Sequence, residues 1–322
     1  MLFFRGVVKG VREMREPSKE ESSSVQGKTV EDLIELEKTG ELFGLHDDVS
    51  NDVYHDPKCP GVSKSGLDIF DRSTEHFVRN KEKKREPTPA LIFGNALHCS
   101  FLEPDRFKEE FVMLPNECKG TTKVAKEAKA VFTEENKGKV VLSETEWESC
   151  KLITESLKRR KVRVKDSMFS LPDLVDGPIE NSAFVKDADT DLVVKARPDA
   201  FREEHGIVWD LKTTTDASVR GFEKSIANFG YHVQAALILD VMRAIGTKVD
   251  SFGLIAVEKA WPFKVSTYII DDAVIERGRE IYRERLARFA EFTEYLKSNG
   301  SPDLDLIDLE TIGLPAWAWT YV

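Results

Sequence analysis

Cysteine is scarce in this sequence, and its placement excludes two kinds of metal site. The 322 residues include four cysteines, and no two of them form a C-x2-C pair: Cys59, Cys99, Cys118 and Cys150. A zinc ribbon needs such pairs, and an iron–sulfur cluster needs several closely spaced cysteines. A chain of this length also folds without a disulfide framework, so we expect free thiols.

Long apolar runs are missing as well. No stretch approaches the roughly 20 residues of a membrane-spanning helix, and residues 1–9 become charged too early for a secretory signal. With 41% hydrophobic and 32% charged residues, the composition is that of a soluble globular enzyme. The expected location is the cytoplasm, and no membrane partner is expected.

Positive charge is not in excess. The formal net charge of −10 argues against a protein that coats nucleic acid over its whole surface. Basic residues are nevertheless concentrated in three short segments, residues 81–85, 119–129 and 158–165. Each segment alone is typical of a solvated surface. Together they would also allow one groove to confine a polyanion while the rest of the protein repels it.

Composition divides the chain into three parts. Residues 1–50 are predicted to be an appendage or linker, disordered in part, with one short helix that begins at a capping box formed by Thr29 and Asp32. Residues 51–300 are predicted to form one domain. Residues 301–322 form an aromatic tail, which either packs on the body or binds a partner as an exposed peptide.

Three apolar runs near the middle of the domain are separated by polar turns and predict strands at Ala183–Val185, Leu192–Ala196 and Ile207–Leu211. Such spacing is typical of an antiparallel meander. Two later strands are predicted at residues 251–258 and 263–270, with helices before and after. The sequence therefore predicts an α/β fold in which helices flank a mixed central β-sheet.

Carboxylates and a lysine lie at the ends of these strands. Asp199 follows the second run, and Asp210 and Lys212 close the third, where alternation places both on one face and Leu211 in the core. Two neighbouring carboxylates repel each other, and a divalent cation relieves the repulsion; oxygen ligands favour Mg2+ or Mn2+. The lysine could orient an attacking water and stabilise charge on a phosphate. Alternatively, Asp199 is a turn residue and the other two form a surface ion pair.

Helical segments carry further polar candidates. An apolar helix is predicted for Ala90–Leu102, and His98 is its ionisable side chain. This histidine is either a core residue whose ring nitrogens are hydrogen-bonded within the protein or a metal ligand. Tyr231 and Gln234 lie three residues apart and so share one face of a helix that begins at Tyr231. Both can donate hydrogen bonds to a phosphate or a base, although each is otherwise an ordinary helix residue. Another helix is predicted from Ser63 to about Asn80.

Five motifs occur in a specific order, each on a predicted strand or helix. They are G-x-x-x-H, E, R-P-D, D-L-K and Y-H-V-Q, at Gly94–His98, Glu180, Arg197–Asp199, Asp210–Lys212 and Tyr231–Gln234. In this order the sequence resembles the PD-(D/E)XK nucleases, and more narrowly the RecE-type exonucleases, the exodeoxyribonuclease VIII family of phages and prophages. The resemblance covers about residues 52–300 and implies a restriction-endonuclease-like, RecB-type core.

The resemblance implies a magnesium site in which Mn2+ is able to substitute. His98, Asp199 and Asp210 match the ligands of the family, and the backbone carbonyl of Leu211 can complete the site. Glu180 matches a glutamate that supports the metal directly or through water.

Four further matches concern the water and the DNA. Lys212 is expected to position the nucleophilic water, Tyr231 and Gln234 to steady the phosphate or the DNA end, and Arg197 to contribute charge. The catalytic set implied in this way comprises Glu180, Asp199, Asp210 and Lys212.

The function implied by the resemblance is that of a Mg2+-dependent exodeoxyribonuclease. It would degrade double-stranded DNA from 5′ to 3′, release mononucleotides and leave 3′ single strands for annealing in recombination. Family members often form ring-like homo-oligomers and act beside a single-strand annealing protein of RecT-like type. The alternatives are another nuclease of the superfamily, such as an endonuclease or repair nuclease, a nuclease on RNA or a non-DNA hydrolase, and a catalytically inactive DNA-binding adaptor.

Overall fold

Residues 27–82, 87–164, 167–304, 311–314 and 319 are described by a computed structural model. The helices are α1 Val30–Thr39, α2 Asn51–Tyr54, α3 Lys64–Arg72, α4 Thr74–Glu82, α5 Pro89–Leu102, α6 Pro104–Glu110, α7 Lys123–Glu135, α8 Glu144–Arg159, α9 Leu171–Val175, α10 Val219–Phe229, α11 Tyr231–Ala244 and α12 Asp272–Asn299. The strands are β1 Gly44–His46, β2 Phe111–Met113, β3 Val140–Leu142, β4 Lys161–Val164, β5 Ser167–Ser170, β6 Ser182–Lys186, β7 Val193–Ala196, β8 Ala200–Arg202, β9 Ile207–Thr214, β10 Ser251–Glu258 and β11 Val265–Ile269. Across these described ranges, no helix is both long enough and apolar enough to cross a membrane.

The central sheet contains β11, β10, β9 and β8 in that order. β9 and β10 are parallel because the chain crosses over through α10 and α11, whereas the two outer pairs are antiparallel. One face of the sheet packs against α3, α11 and α12, and the other packs against α5, α8 and α9. The predicted α/β fold, with helices on both sides of a mixed sheet, is confirmed.

The predicted three-stranded meander is correct for its first two strands, which pair antiparallel as β6 and β7, and wrong for the third, β9, which lies in another sheet. β7 pairs with β6, and β6 with β1, in a separate three-stranded sheet, while the antiparallel neighbour of β9 is β8. Pro198 lies between β7 and β8. Since proline has no N–H group to donate, the ladder of β7 stops there and the chain resumes with a new partner. Asp199 consequently lies at the split between the two sheets.

The segment before the central domain is joined to it by hydrogen bonds. β1 pairs with β6, and Leu33 of α1 is fully buried in a cluster that includes Phe184 of β6. The buried Lys195 on β7 donates from Nζ to the backbone oxygen of Tyr54 at 2.8 Å. The second half of the predicted appendage, residues 28–50, therefore contacts the domain, and residues 1–26 lie outside the described residues.

One predicted helix start is confirmed and one predicted helix is divided. The capping box predicted at Thr29 is formed, and Ser143 forms another at the start of α8. The helix predicted from Ser63 to Asn80 is instead two helices, because Ser73 is extended and its hydroxyl accepts a 3.1 Å hydrogen bond from the N–H of His76. A serine that caps the following helix in this way competes with continuation of the preceding one.

The described residues of the C-terminal tail are open to solvent. Ile312 is 95% exposed, and Leu314 and Trp319 are also exposed. Packing on the body is not observed for these residues. The rest of the tail, including most of its aromatic residues, lies outside the described part of the chain.

A glycine sets the distance between α11 and α12, which pack against each other. A Cβ atom added at Gly278 of α12 would lie 2.1 Å from the backbone oxygen of His232 in α11. Alanine normally favours a helix interior by about 1 kcal/mol over glycine. We nevertheless expect Gly278→Ala to lower the free energy of unfolding by about 2–4 kcal/mol, because two backbones must separate.

Urea unfolding followed by circular dichroism measures this change. Gly313→Ala is the matched control, because no atom lies within 4 Å of a Cβ built there. Equal stability of the Gly278 variant and the wild type would contradict the close approach of the two helices.

Candidate functional site

The split between the two sheets leaves one edge of β9 without a neighbouring strand. β8 pairs with residues 207–209 of β9 and ends there. The next peptide groups on that edge belong to Leu211. Its N–H donates to Oδ2 of Asp199 at 2.6 Å, and its carbonyl oxygen is in contact with Nε2 of His98. Two side chains therefore take the place of a strand, and the carbonyl predicted from the sequence is the one that His98 contacts.

Three side chains form a compact group of potential metal ligands. One ligand atom from each of His98, Glu180 and Asp199 lies within 4.8 Å of the others, and Nδ1 of His98 is 3.3 Å from Oδ2 of Asp199. The N–H of Glu180 donates to the backbone oxygen of Asp199 at 3.1 Å. Glu180 also has a positive φ of 53°. That conformation is unfavourable for a residue with a Cβ atom, and such residues cluster at functional sites.

The two carboxylate oxygens of Asp210 on β9 have different partners. Oδ1 accepts hydrogen bonds from Nζ of Lys212 at 3.0 Å and from Nε2 of Gln234 at 2.9 Å. Oδ2 is 2.8 Å from the same ammonium, but the bond angles are not those of a hydrogen bond, and this buried oxygen has no hydrogen-bond partner. The predicted shared face of Asp210 and Lys212 is confirmed. The arrangement leaves a buried anionic oxygen available to a cation.

Burial and mutual repulsion perturb the carboxyl groups. Burial, with the charge of Asp199 second, raises the pKa of Asp210 to about 6 and that of Glu180 to about 7. Burial alone would lower the pKa of Lys212, but the carboxylates of Asp210 and Asp199 outweigh it and raise that pKa. Lys212 is therefore charged at neutral pH, and the carboxyl groups are crowded with negative charge that a bound cation would stabilise.

Tyr231 and Gln234 share a face at the start of α11, as predicted. Gly230 ends α10 with a positive φ of 62° and turns the chain into α11. Nζ of Lys212 lies 5.1 Å from the centre of the Tyr231 ring, which is a cation–π geometry. Gln234 donates to Asp210, so its amide fixes a carboxylate. Their contacts with a phosphate or a DNA end stay predictions.

Arg197 is directed into the protein body. Its guanidinium donates to Oγ of Ser182 at 2.6 Å and to the backbone oxygen of Val49 at 2.6 Å, and it lies 4.5 Å from the centre of the Tyr54 ring. The sequence did not indicate these partners, because Val49 is 148 residues away along the chain. Its charge also interacts electrostatically with Glu180, and its predicted role in binding substrate stays a prediction.

Known proteins share the sequence pattern and the fold of this chain. The family described as a PDDEXK-like domain of unknown function (DUF3799) matches residues 63–301. The chain belongs to this PDDEXK-like family. Its fold is similar to the crystal structure of a candidate exonuclease from Eubacterium rectale, at 14% sequence identity and a TM-score of 0.54, over 84% of this chain and 98% of that chain. None of the curated proteins matches the sequence. The predicted PD-(D/E)XK superfamily is confirmed.

The donor set of this PDDEXK-like domain fits a divalent cation. It combines carboxylate oxygens, an imidazole nitrogen and a strand carbonyl around the unpaired edge of β9. Oδ2 of Asp210 is the observation that tests the fit, because this buried oxygen is ion-paired with Lys212 but accepts no hydrogen bond, so it keeps lone pairs that suit a metal ion. Carboxylate and carbonyl oxygens suit Mg2+ and Mn2+, and the histidine favours the latter.

Proposed function

We propose that this PDDEXK-like domain is a metal-dependent exodeoxyribonuclease. It hydrolyses phosphodiester bonds in double-stranded DNA from 5′ to 3′, releases mononucleotides and leaves 3′ single strands. One observation carries the chemical part of the proposal: the buried Asp210 is ion-paired with Lys212, has one oxygen that accepts no hydrogen bond, and interacts electrostatically with Asp199 and His98 of the ligand group. The direction of degradation comes from the resemblance to RecE-type enzymes.

The metal would be held by Asp199, Asp210, His98 and the carbonyl oxygen of Leu211, with Glu180 beside them. When bound, Mg2+ or Mn2+ supplies Lewis-acid stabilisation of a phosphate oxygen and makes a coordinated water more acidic. The carboxyl groups must be ionised to bind it, so their raised pKa values link metal binding to pH.

The protein's own side chains then orient the reactants. Lys212 is charged and cannot serve as a base, but its ammonium donates hydrogen bonds to a water and to a phosphate oxygen on which negative charge develops. Asp210 keeps the ammonium within 3.0 Å, and Gln234 fixes Asp210 in turn. Tyr231 covers the lysine and limits the conformations open to its chain.

A basic surface supports binding of a polyanion. Five exposed cationic side chains lie where α8 ends and β4 begins: Lys158, Arg159, Arg160, Lys161 and Arg163. Within the described residues, none of the five forms an ion pair. By contrast, Lys119 of the second predicted basic segment is paired with Glu144 at 2.6 Å. Residues 83–86 of the first segment, and Lys165, lie outside the described residues.

The proposal extends to partners and location by resemblance alone. Double-stranded DNA ends are the substrate, a ring-like homo-oligomer is the working assembly, and a RecT-like single-strand annealing protein receives the 3′ strand during recombination. Such a system acts in the cytoplasm.

The test uses linear duplex DNA labelled at either end, with closed circular DNA, single-stranded DNA and RNA as parallel substrates. With Mg2+ we expect early release of the 5′ label as mononucleotide, an intact circle, and no cleavage by Asp210→Asn. Cutting of the circle would identify an endonuclease, and preferred cleavage of RNA would change the substrate class. DNA binding without cleavage, by wild type and variant alike, would favour the inactive adaptor and contradict the proposal.

A further inference from the structure

A row of aromatic rings leads from the catalytic lysine to the protein surface. Lys212 Nζ lies over the half-buried Tyr231 ring, and the ring of Phe229 stacks against Tyr231, with centres 5.6 Å apart and planes inclined by 28°. Phe229 itself is 61% exposed. One of its faces is therefore occupied by Tyr231, and much of the remaining ring meets solvent.

The backbone beneath this ring is held firmly. Phe229 is the last residue of α10, and Gly230 closes the helix. Lys64 Nζ donates to the backbone oxygen of Phe229 at 2.8 Å, and the same ammonium pairs with Asp68 at 2.7 Å. Holding a ring in place before a ligand arrives lowers the entropy that binding must overcome.

The position of the ring suits a base of the strand being cleaved. Since Tyr231 is 5.1 Å from the ammonium and 5.6 Å from the second ring, Phe229 lies within about 11 Å of Lys212 Nζ. That distance is about three base steps of roughly 3.4 Å each. A phosphate at Lys212 therefore brings bases of the same strand within reach of the exposed ring.

We propose that Phe229 is a stacking platform for an unpaired nucleobase of the strand whose phosphate lies at Lys212. The inference rests on the proposed function for the identity of the ligand. Aromatic stacking tolerates every base, because each has a flat π face, so the platform holds a strand without reading its sequence. A base held there would be separated from its complement, and the terminal nucleotides would stay in position for hydrolysis.

The binding test avoids catalysis. Oligonucleotides carry 2-aminopurine at each of the first four positions of a 5′ single-stranded end, and binding is followed with EDTA present. We expect quenching of 2-aminopurine at one or two positions by wild type and by Phe229→Trp. Phe229→Leu keeps an apolar side chain but no ring, so the quenching is lost and affinity falls by about tenfold.

Tyr295→Leu is the matched control, because Tyr295 is an exposed aromatic residue near the end of α12. It is expected to leave quenching, affinity and cleavage unchanged. In cleavage assays, Phe229→Leu should raise KM by about tenfold with little change in kcat, and tryptophan should restore KM. A structural defect would not give this ring-dependent recovery.

The outcomes separate this inference from the proposed function. If wild type cleaves DNA while Phe229→Leu quenches, binds and cleaves as wild type does, the platform is contradicted and the nuclease stands. If wild type does not cleave but quenches 2-aminopurine in a way that depends on Phe229, the platform stands and the nuclease fails. If Phe229→Leu changes the oligomeric state measured by sedimentation but changes neither quenching nor DNA affinity, Phe229 is a contact between copies of the chain. That result would overturn the inference.

Discussion

Replacing Lys212 with methionine is expected to reduce the rate of DNA cleavage by about 1000-fold. Methionine keeps most of the length of the side chain but has no ammonium to orient a water or stabilise charge on the phosphate. It also removes the hydrogen bond to Oδ1 of Asp210. Single-turnover cleavage of end-labelled duplex DNA at saturating enzyme measures the chemical step directly. DNA affinity in the absence of metal should change by less than tenfold, because Lys212 is one cation among many.

Two further substitutions define what the lysine contributes. Lys248→Met is the matched control and should keep the wild-type rate. This exposed lysine lies just before β10, whose first residue pairs with the start of β9, whereas Lys212 lies towards the other end of β9. Lys212→Arg retains the charge but places a planar fork over Tyr231, so we expect little recovery. A methionine variant that cleaves within tenfold of the wild-type rate would exclude the proposed role.

The contribution of Glu180 to the stability of the metal-free protein is expected to fall as pH rises from about 4.5 to about 7. Burial and the charge of Asp199 raise the pKa of Glu180 from 4.5 to about 7, so the folded state binds its proton more tightly than the unfolded state does. This contribution is therefore largest while the carboxyl is protonated and falls as it ionises. A shift of this size corresponds to about 3 kcal/mol. Asp210 acts in the same direction and over a slightly lower range, with a pKa of about 6.

Glu180→Gln tests the origin of this loss. The variant should be more stable than the metal-free wild type at pH 8 and similar to it at pH 4, as measured by urea unfolding in EDTA. Mn2+ should stabilise the wild type at pH 8 and raise the stability of the glutamine variant less. A difference in stability between Glu180→Gln and the wild type that is the same at pH 4 and at pH 8 in EDTA would contradict the account of the crowded carboxyl groups.

Local features of the site were accessible from the sequence, because they depend on neighbours along the chain. Strand alternation placed Asp210 and Lys212 on one face, and the i, i+3 spacing placed Tyr231 and Gln234 together. The caps at Thr29 and Ser143 were also visible, since a cap needs only residues of the same turn. In each case the physical interaction spans a few residues.

Features that depend on distant partners were not accessible. Apolar runs indicate strands but not which strands pair. The sequence therefore did not show that β8, and not β7, is the antiparallel neighbour of β9. The partners of Arg197 are equally invisible, because the backbone oxygen of Val49 carries no sequence signal. The sequence also does not indicate that the ring of Phe229 is exposed while it stacks on Tyr231 near the lysine.

The central claim is that the unpaired edge of β9 is a divalent-metal site. The most direct test is the anomalous difference map of a crystal of the protein soaked in Mn2+ at pH 8. We expect one strong peak within coordination distance of Asp199, Asp210 and the carbonyl oxygen of Leu211, with His98 or Glu180 beside it. A map without a peak at this edge, from a crystal in which all four carboxyl and imidazole groups are ordered, would contradict the account.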